Sequence, residues 1–245
     1  MLEADGLISL AKFKTHALTR VTGAIKNQFG CIPGALKAEF HAKMSNVELF
    51  SQMLVDLNLL LKPRLYIMDG IMAMQGNGPR NGEPYPMRVL LFSTDPAALD
   101  ATVSRTMNLE PGLVPPLKWA QRWGLGNIEE IEILGDPVED FIAQDFDANR
   151  SPLSTTAAPG RMEWLMKRWV IPRPVIDEEA CTRCGSCVKI CPAEPKALDF
   201  FQGNHGSPPT YQYDRCIRCY CCQETCPHDA ITVAVPLLGR LLHRG

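Results

Sequence analysis

The cysteines are the residues of this chain whose spacing most clearly indicates chemistry. The pattern C-x2-C-x2-C-x3-C-P occurs twice near the end of the sequence. The first run comprises Cys181, Cys184, Cys187, Cys191 and Pro192, and the second comprises Cys216, Cys219, Cys222, Cys226 and Pro227. This repeated spacing is typical of proteins that bind iron–sulfur clusters through cysteine thiolates.

The spacing also predicts how two clusters share the ligands. Three thiolates separated by two residues in a tight loop can reach three irons of one cubane, whereas the fourth has turned into the next element and points at the other cluster. We therefore expect two 4Fe-4S clusters with crossed ligand sets. Cluster I is assigned to Cys181, Cys184, Cys187 and Cys226, and cluster II to Cys216, Cys219, Cys222 and Cys191.

Disulfides and zinc explain the pattern less well. Disulfides need an oxidising compartment and zinc takes cysteines in pairs, and neither use requires a third cysteine, a fourth and then a proline. Cys31 and Cys221 lie outside the pattern. Cys221 would leave four residues before Cys226 instead of three, so Cys222 is the expected ligand and Cys221 a small buried neighbour.

Residues 175–235 closely resemble the bacterial-type two-cluster ferredoxin module. The expected fold is a small α+β domain in which Val175 and Ile176 pair with residues 231–235, and residues 198–202 form a hairpin with residues 210–213. Because so small a domain has little apolar core, metal–thiolate bonds are expected to supply much of its folding free energy.

Residues 1–140 predict an α/β domain with a partial, mostly parallel sheet and flanking helices. Apolar runs at residues 7–11, 65–68 and 89–92 predict three strands. Between the first two strands, apolar residues at helical spacing from Val47 to Leu61 predict a helix that ends before Pro63. Asp95 and Pro96 predict the start of another helix, with the Asp95 side chain as its cap.

Polar side chains follow all three predicted strands, where ligands of parallel sheets usually bind. Lys12, Lys14 and His16 follow the first strand, Asp69 and a glycine-rich loop follow the second, and residues 93–95 follow the third. A shared crevice is expected, with Lys12, Lys14, His16 and Asp69 as candidate catalytic residues for an anionic substrate. The alternatives are that Asp95 only caps a helix and that the glycines at 76–82 only shape a turn.

A second resemblance rests on several short motifs in this half. They are Lys12-Phe-Lys-Thr-His16, Thr22-Gly-Ala-Ile-Lys-Asn27, Asp69 with Gly76-Asn-Gly-Pro79, and Asp95-Pro-Ala-Ala-Leu-Asp100. Residues 5–136 resemble the family named domain of unknown function 362, whose members often carry a C-terminal two-cluster ferredoxin module. The resemblance implies an iron–sulfur protein but no particular reaction. Family members usually have a further α/β portion before the first strand. Two alternatives follow: the start of the sequence is misplaced, or the protein is a shortened form and a partner covers the sheet edge near the N-terminus.

The remaining segments and the bulk composition complete the prediction. Residues 141–173 are expected to be a linker with a short amphipathic helix, residues 174–236 the ferredoxin domain and residues 237–245 a tail. A net charge of -2 argues against a nucleic-acid binder. Neither a membrane span nor a signal peptide is expected, so a cytoplasmic location is predicted.

Three functions are consistent with these patterns. The first is electron transfer, in which two 4Fe-4S clusters exchange electrons with a redox partner protein or with the α/β domain. The second is an oxidoreductase whose clusters supply electrons to a substrate near Lys12, Lys14, His16 and Asp69. The third is a structural or interaction module held together by its clusters.

Overall fold

The computed structural model describes residues 3–44, 46–150 and 161–242 of the chain. Two compact units are present. Unit 1 comprises Met1–Pro33 and Val47–Arg150, and unit 2 comprises Gly34–Asn46 and Ser151–Gly245. Residues 151–160 of the predicted linker lie outside the described part of the chain.

Unit 1 is built on a five-stranded mixed sheet. Its strands are β1 (Ile8–His16), β2 (Arg20–Thr22), β3 (Leu65–Gln75), β4 (Glu83–Tyr85) and β5 (Val89–Ser93). The sheet order is β2-β1-β3-β4, and β5 also pairs with β3. The predicted α/β class is confirmed, with a sheet that is only partly parallel.

The direction of the strands corrects the expectation of a mostly parallel sheet. β1 and β3 are parallel, whereas β2, β4 and β5 each run antiparallel to their neighbour. Parallel neighbours need a long crossover, and the helices between β1 and β3 provide one. The chain between β3 and β5 contains only β4 and turns, so β5 returns antiparallel beside β3.

The helices of unit 1 pack on one face of this sheet. They are α1 (Ala24–Asn27), α3 (Val47–Leu61), α4 (Pro96–Thr106) and α5 (Pro115–Arg122). The helix predicted for residues 47–61 is confirmed. Phe13 and Met68 of the sheet and Phe50 and Leu54 of α3 are fully buried.

The opposite face of the sheet carries exposed apolar side chains. Leu10 is 70% exposed and Phe92 is 60% exposed, and Ile8 and Leu90 are also exposed. Their neighbours in sequence point to the helices because side chains alternate along a strand. Ile67 lies between Leu10 and Phe92 in the strand register, so these residues form one continuous surface.

Unit 1 continues past the predicted boundary at residue 140. Phe146 is buried, and its ring lies 5.9 Å from that of Phe13 and 5.1 Å from that of Tyr85. The Arg150 guanidinium donates hydrogen bonds to the carbonyl oxygens of Met107 and Phe146. These contacts attach residues 141–150 to the α/β unit.

Unit 2 contains short helices and two small antiparallel sheets. Its helices are α2 (Gly34–Lys43), α6 (Arg161–Trp169), α7 (Ser186–Ile190), α8 (Cys221–Glu224) and α9 (Leu237–Leu242). Its strands are β6 (Arg173–Ile176), β7 (Leu198–Asp199), β8 (Thr210–Tyr211) and β9 (Ile231–Ala234). β6 pairs with β9 and β7 with β8, which confirms both predicted pairings.

None of the helices described here has the length and apolar character needed to cross a membrane.

Candidate metal centre

The first cysteine run lies in a loop that leads into α7. Gly185 has a left-handed backbone (φ 73°) immediately before this helix, and the turn buries Cys187 while Cys184 stays exposed. One cavity of unit 2 has an empty volume of about 340 Å³, which includes space open to solvent. Its lining includes Cys181, Cys184, Cys187 and Cys226. These are the four cysteines that the spacing assigned to cluster I.

The second cysteine run repeats this local geometry. Tyr220 takes the left-handed conformation (φ 60°) before α8, and Cys222 on the helix is buried. Cys216 lies close enough to Cys219 and Cys191 for their negative charges to raise its pKa, although burial is the larger cause. The chain therefore brings Cys191, from the end of the first run, near the second run.

The apolar core of unit 2 consists largely of these cysteines. Its buried cluster is made of Cys187, Leu198, Cys222, Cys226, Ala230 and Ile231. Burial raises the pKa of Cys187 to about 11 and also raises the pKa of Cys222. Thiols in this environment become thiolates when a metal provides compensating positive charge, so metal binding should release protons.

These sulfur donors fit an iron–sulfur cluster. Cys181, Cys184, Cys187 and Cys226, with apolar side chains such as Ile176 and Ile231 around the same cavity, match the chemistry of a cubane held by thiolates. Across the described ranges, no three histidine, cysteine or acidic side chains converge on one point that could hold a single metal ion. When bound, such clusters accept and donate one electron at a time.

Cys221 lies beside the second set of ligands. It is buried and its thiol is hydrogen-bonded to Cys219, which raises the pKa of Cys221 and lowers that of Cys219. A cysteine that holds its proton while stabilising the thiolate of its neighbour is suited to a supporting role. That Cys221 is not a ligand stays a prediction.

Aromatic and basic residues near the second run were not predicted from the sequence. The Tyr211 hydroxyl donates a hydrogen bond to Sγ of Cys222 at 3.2 Å, and the Tyr211 ring stacks on Tyr213 at 5.3 Å. Arg173 and Arg218 both lie over the Tyr213 ring. The cysteine spacing contains no signal for these contacts, because they depend on how β6, the chain at β8 and the second cysteine run pack together.

The candidate catalytic residues of unit 1 are only partly brought together. Lys12 and Asp69 are register partners in β1 and β3, and Nζ of Lys12 lies 2.7 Å from Oδ2 of Asp69. This bond, more than any other contact, holds the pKa of the Asp69 carboxyl below its usual value. The pair lies on the exposed sheet face beside Leu10, within the strands rather than at their ends.

Lys14 and His16 also lie within β1 and not beyond it. Lys14 is half-buried and is paired with Met74 after an irregularity in the register. His16 is buried, and its Nδ1 accepts hydrogen bonds from the backbone N–H groups of Leu18 and Thr19. His16 therefore stabilises the turn between β1 and β2.

The predicted convergence of three strand ends is wrong for the third strand. Because β5 is antiparallel to β3, Ser93 lies beside Tyr66 near the start of β3. Asp95 caps α4 by accepting hydrogen bonds from the N–H groups of Ala97 and Ala98, which confirms the structural alternative. Its other oxygen accepts from the N–H of Asn127.

The glycine-rich loop is held against β1 by one threonine. The Thr15 hydroxyl donates to the carbonyl of Gly76 and accepts from the N–H of Gly78. A Cβ atom at Gly78 would lie 2.3 Å from the Thr15 carbonyl oxygen, so only glycine fits. Packing between Thr15 and the glycine-rich loop therefore accounts for the Lys12–His16 motif and the Gly76–Pro79 motif.

The buried carboxylate of Asp100 accounts for the Thr22–Asn27 motif and the Asp95–Asp100 motif. Oδ1 of Asp100 accepts from the N–H of Ala24 at 2.6 Å, and Oδ2 accepts from the N–H of Ile25 at 3.0 Å. A Cβ atom at Gly23 would lie 2.1 Å from Oδ1, so Gly23 allows the carboxylate to approach the start of α1. Burial raises the pKa of Asp100 to about 7. Helical spacing alone could not predict this long-range cap.

Comparison with known proteins finds matches to two segments of the chain. Residues 1–105 match the family described as Domain of unknown function (DUF362), and residues 173–227 match the family described as 4Fe-4S dicluster domain. The predicted relationship to both is confirmed, and the chain is an iron–sulfur protein with a ferredoxin-type 4Fe-4S domain.

One curated relative is Thylakoid-associated protein sll1697 of Synechocystis sp., which is 39% identical over 125 residues. The match covers 51% of this chain and 39% of the relative, so the chain matches only about two fifths of the relative's length.

Proposed function

We propose that this chain, a DUF362 segment followed by a 4Fe-4S dicluster domain, binds two clusters and transfers electrons one at a time. The observation that carries the proposal is the cavity lined by Cys181, Cys184, Cys187 and Cys226. Three of these residues come from the first run and one from the end of the second. This is the crossed arrangement that two-cluster ferredoxins use.

The exposure of the cysteines favours one route for electrons. Cys184 is exposed, whereas Cys187, Cys222 and Cys226 are buried. A redox partner can approach most closely where a ligand reaches the surface, so cluster I is the expected point of exchange. Among the assigned ligands of cluster II, Cys222 is buried and Cys191, Cys216 and Cys219 are half-buried, so none reaches the surface as Cys184 does.

The exposed sheet face of unit 1 supports a second part of the proposal. Leu10, Ile67 and Phe92 form a continuous apolar surface, which isolated proteins rarely leave uncovered over a large area. We infer that another polypeptide covers this surface.

The test is anaerobic purification of the full chain, followed by iron and sulfide analysis and a reductive titration monitored by electron paramagnetic resonance. About eight irons per chain, in two clusters that are reduced reversibly, are expected. One cluster, or two clusters that never accept an electron, would contradict the proposal. The second outcome would instead favour a structural role.

Adjacent cysteines provide a matched control. Cys222→Ser should lose cluster II, and the iron content should fall to about half. Cys221→Ser, one position away and equally buried, should keep both clusters. Equal iron loss in both variants would contradict the ligand assignment.

An oxidoreductase reaction at Lys12, Lys14, His16 and Asp69 stays a prediction. Among these residues, Lys12 and Asp69 form a direct ion pair. If they act on a substrate, Lys12→Ala should abolish electron transfer to it while the cluster absorbance stays intact. Unchanged electron transfer by this variant would exclude the exposed pair as a catalytic site.

A further inference from the structure

The two cysteine runs carry an arginine at the same position. Arg183 lies between Cys181 and Cys184, and Arg218 lies between Cys216 and Cys219. Both arginines have a left-handed backbone, with φ values of 62° and 59°. By sequence and local backbone the two residues are equivalent.

Their surroundings are different. Arg183 is exposed, whereas Arg218 is only 7% exposed. Nη2 of Arg218 donates a hydrogen bond to the Lys167 carbonyl at 3.2 Å. Its Nε and Nη1 are buried and have no hydrogen-bond partner among the residues that the structure describes.

The aromatic contact of Arg218 compensates only part of the cost of burial. Its guanidinium lies 5.0 Å from the centre of the Tyr213 ring, and Arg173 lies 4.8 Å from the same ring. A cation–π contact offsets only part of the desolvation of a guanidinium, and a second cation nearby opposes it. A buried guanidinium with two unpaired N–H groups requires further compensation by negative charge.

The second cysteine run can supply that negative charge. Arg218 lies in the chain between Cys216 and Cys219, two assigned ligands of cluster II, and it is buried there, so its charge is held beside these ligands. Four thiolates around a cubane carry a net negative charge, and reduction by one electron increases it. A permanent positive charge in a buried, low-dielectric site therefore favours the reduced form.

We propose that Arg218 raises the reduction potential of cluster II above that of cluster I, so that the first electron resides on cluster II. The inference rests on the proposed function, since it requires both clusters. Arg183 has the same charge, but solvent and salt screen it at the surface. Burial of one arginine of an equivalent pair thus makes the two clusters unequal.

The test is a redox titration of the full, cluster-loaded chain with dithionite, monitored by electron paramagnetic resonance. Arg218→Gln should make the midpoint potential of cluster II more negative. The equilibrium constant for its reduction should fall at least tenfold, which corresponds to about 59 mV for one electron. Arg183→Gln should change the equilibrium constant for reduction of each cluster less than twofold. Arg218→Lys keeps the charge and should restore most of the shift.

A second measurement needs no variant. At one electron per chain, paramagnetic NMR of the cysteine β-protons in the wild-type protein should identify the ligands of cluster II as those of the reduced cluster. Reduction of cluster I first would overturn the inference, even if Arg218→Gln fails to bind its clusters.

Other results separate this inference from the proposed function. Equal shifts in the Arg183 and Arg218 variants, or unchanged potentials in Arg218→Gln, would overturn the inference alone. A wild-type chain that never binds two clusters would overturn the proposed function and this inference together.

Discussion

Unit 1 and unit 2 are stabilised in different ways. In unit 1 the fully buried large side chains are those of a conventional core: Phe13, Phe50, Phe146, Ile25, Leu54, Met68, Met107, Leu109 and Leu117. In unit 2 the fully buried large side chains are Leu198, Ile231 and Gln223. The buried cluster around Leu198 and Ile231 is completed by cysteines.

This difference shows what each unit requires in order to fold. Packing of apolar side chains and buried hydrogen bonds can stabilise unit 1 without a cofactor. Unit 2 places thiols where a protein of its size would need larger apolar groups. The cluster ligands therefore form part of its core, and function and stability depend on the same residues.

Removal of iron should show the difference in stability between the two units most clearly. Anaerobic chelation should unfold unit 2, because its metal–thiolate bonds supply much of its folding free energy. Hydrogen exchange followed by mass spectrometry should show loss of protection at β6 and β9, while α3 and β3 of unit 1 remain protected. Retained protection in β6 and β9 would show that unit 2 has a sufficient core of its own.

The next largest effect is expected at Asp100. Asp100→Ala would leave the buried N–H groups of Ala24 and Ile25 without their acceptor and should destabilise unit 1 by about 3 kcal/mol. Asp95→Ala is the matched control, because it removes a half-buried cap and should cost about 1 kcal/mol. Hydrogen exchange at α3 would measure the loss of stability in both variants. Equal losses would contradict the claim that the buried cap contributes more than the half-buried one.

The raised pKa of Asp100 predicts that the stability of unit 1 depends on pH. This pKa is raised from 3.8 to about 7 by burial, so the folded state favours the protonated form. The stability that this proton provides should be present below about pH 4 and be lost as the pH rises through about 7. Asp100→Asn should remove this dependence from hydrogen exchange in unit 1, whereas an unchanged profile would assign it to another group.

A smaller effect is expected from the hydrogen bond between Tyr211 and Cys222. Tyr211→Phe removes a donor to a cluster ligand and should make one reduction potential more negative, by less than Arg218→Gln does. Tyr213→Phe is the control, because the Tyr213 hydroxyl donates to the Pro174 carbonyl and not to sulfur. The measurement is the same redox titration, and equal shifts in the two variants would refute the role of the hydrogen bond.

The smallest effect is expected on the exposed face of the sheet. Leu10→Asp should change the stability of unit 1 by about 0.5 kcal/mol or less, because Leu10 is 70% exposed. Ala11→Asp, at the next position but buried, should destabilise the unit by several-fold more. If Leu10→Asp is as costly in hydrogen exchange, the face is covered within the chain and needs no partner.

Patterns confined to one segment could be predicted from the sequence. The helix of residues 47–61 was predictable because its apolar face repeats every turn, and the Asp95 cap because its acceptor and donors are close in sequence. The pairing of β6 with β9 joins distant segments, and it was predictable only because residues 175–235 resemble the two-cluster ferredoxin module.

Contacts between distant segments were not predictable in the same way. The direction of β5 depends on how the chain returns from β3, and the crevice prediction failed on that point. His16 has a sequence signal for chemistry, yet its ring accepts hydrogen bonds from its own turn. Asp100 caps α1 from a helix that lies far along the chain.

The sequence by itself determined the cysteine spacing, and with it the iron–sulfur chemistry, because loop ligands must be closely spaced to reach one cluster. It also placed Arg183 and Arg218 at equivalent positions with the same charge. Only the tertiary structure decided that Arg218 is buried against Tyr213 and that Arg183 is exposed. The physical reason is that the strength of a charge depends on the dielectric around it, which is set by packing between distant segments.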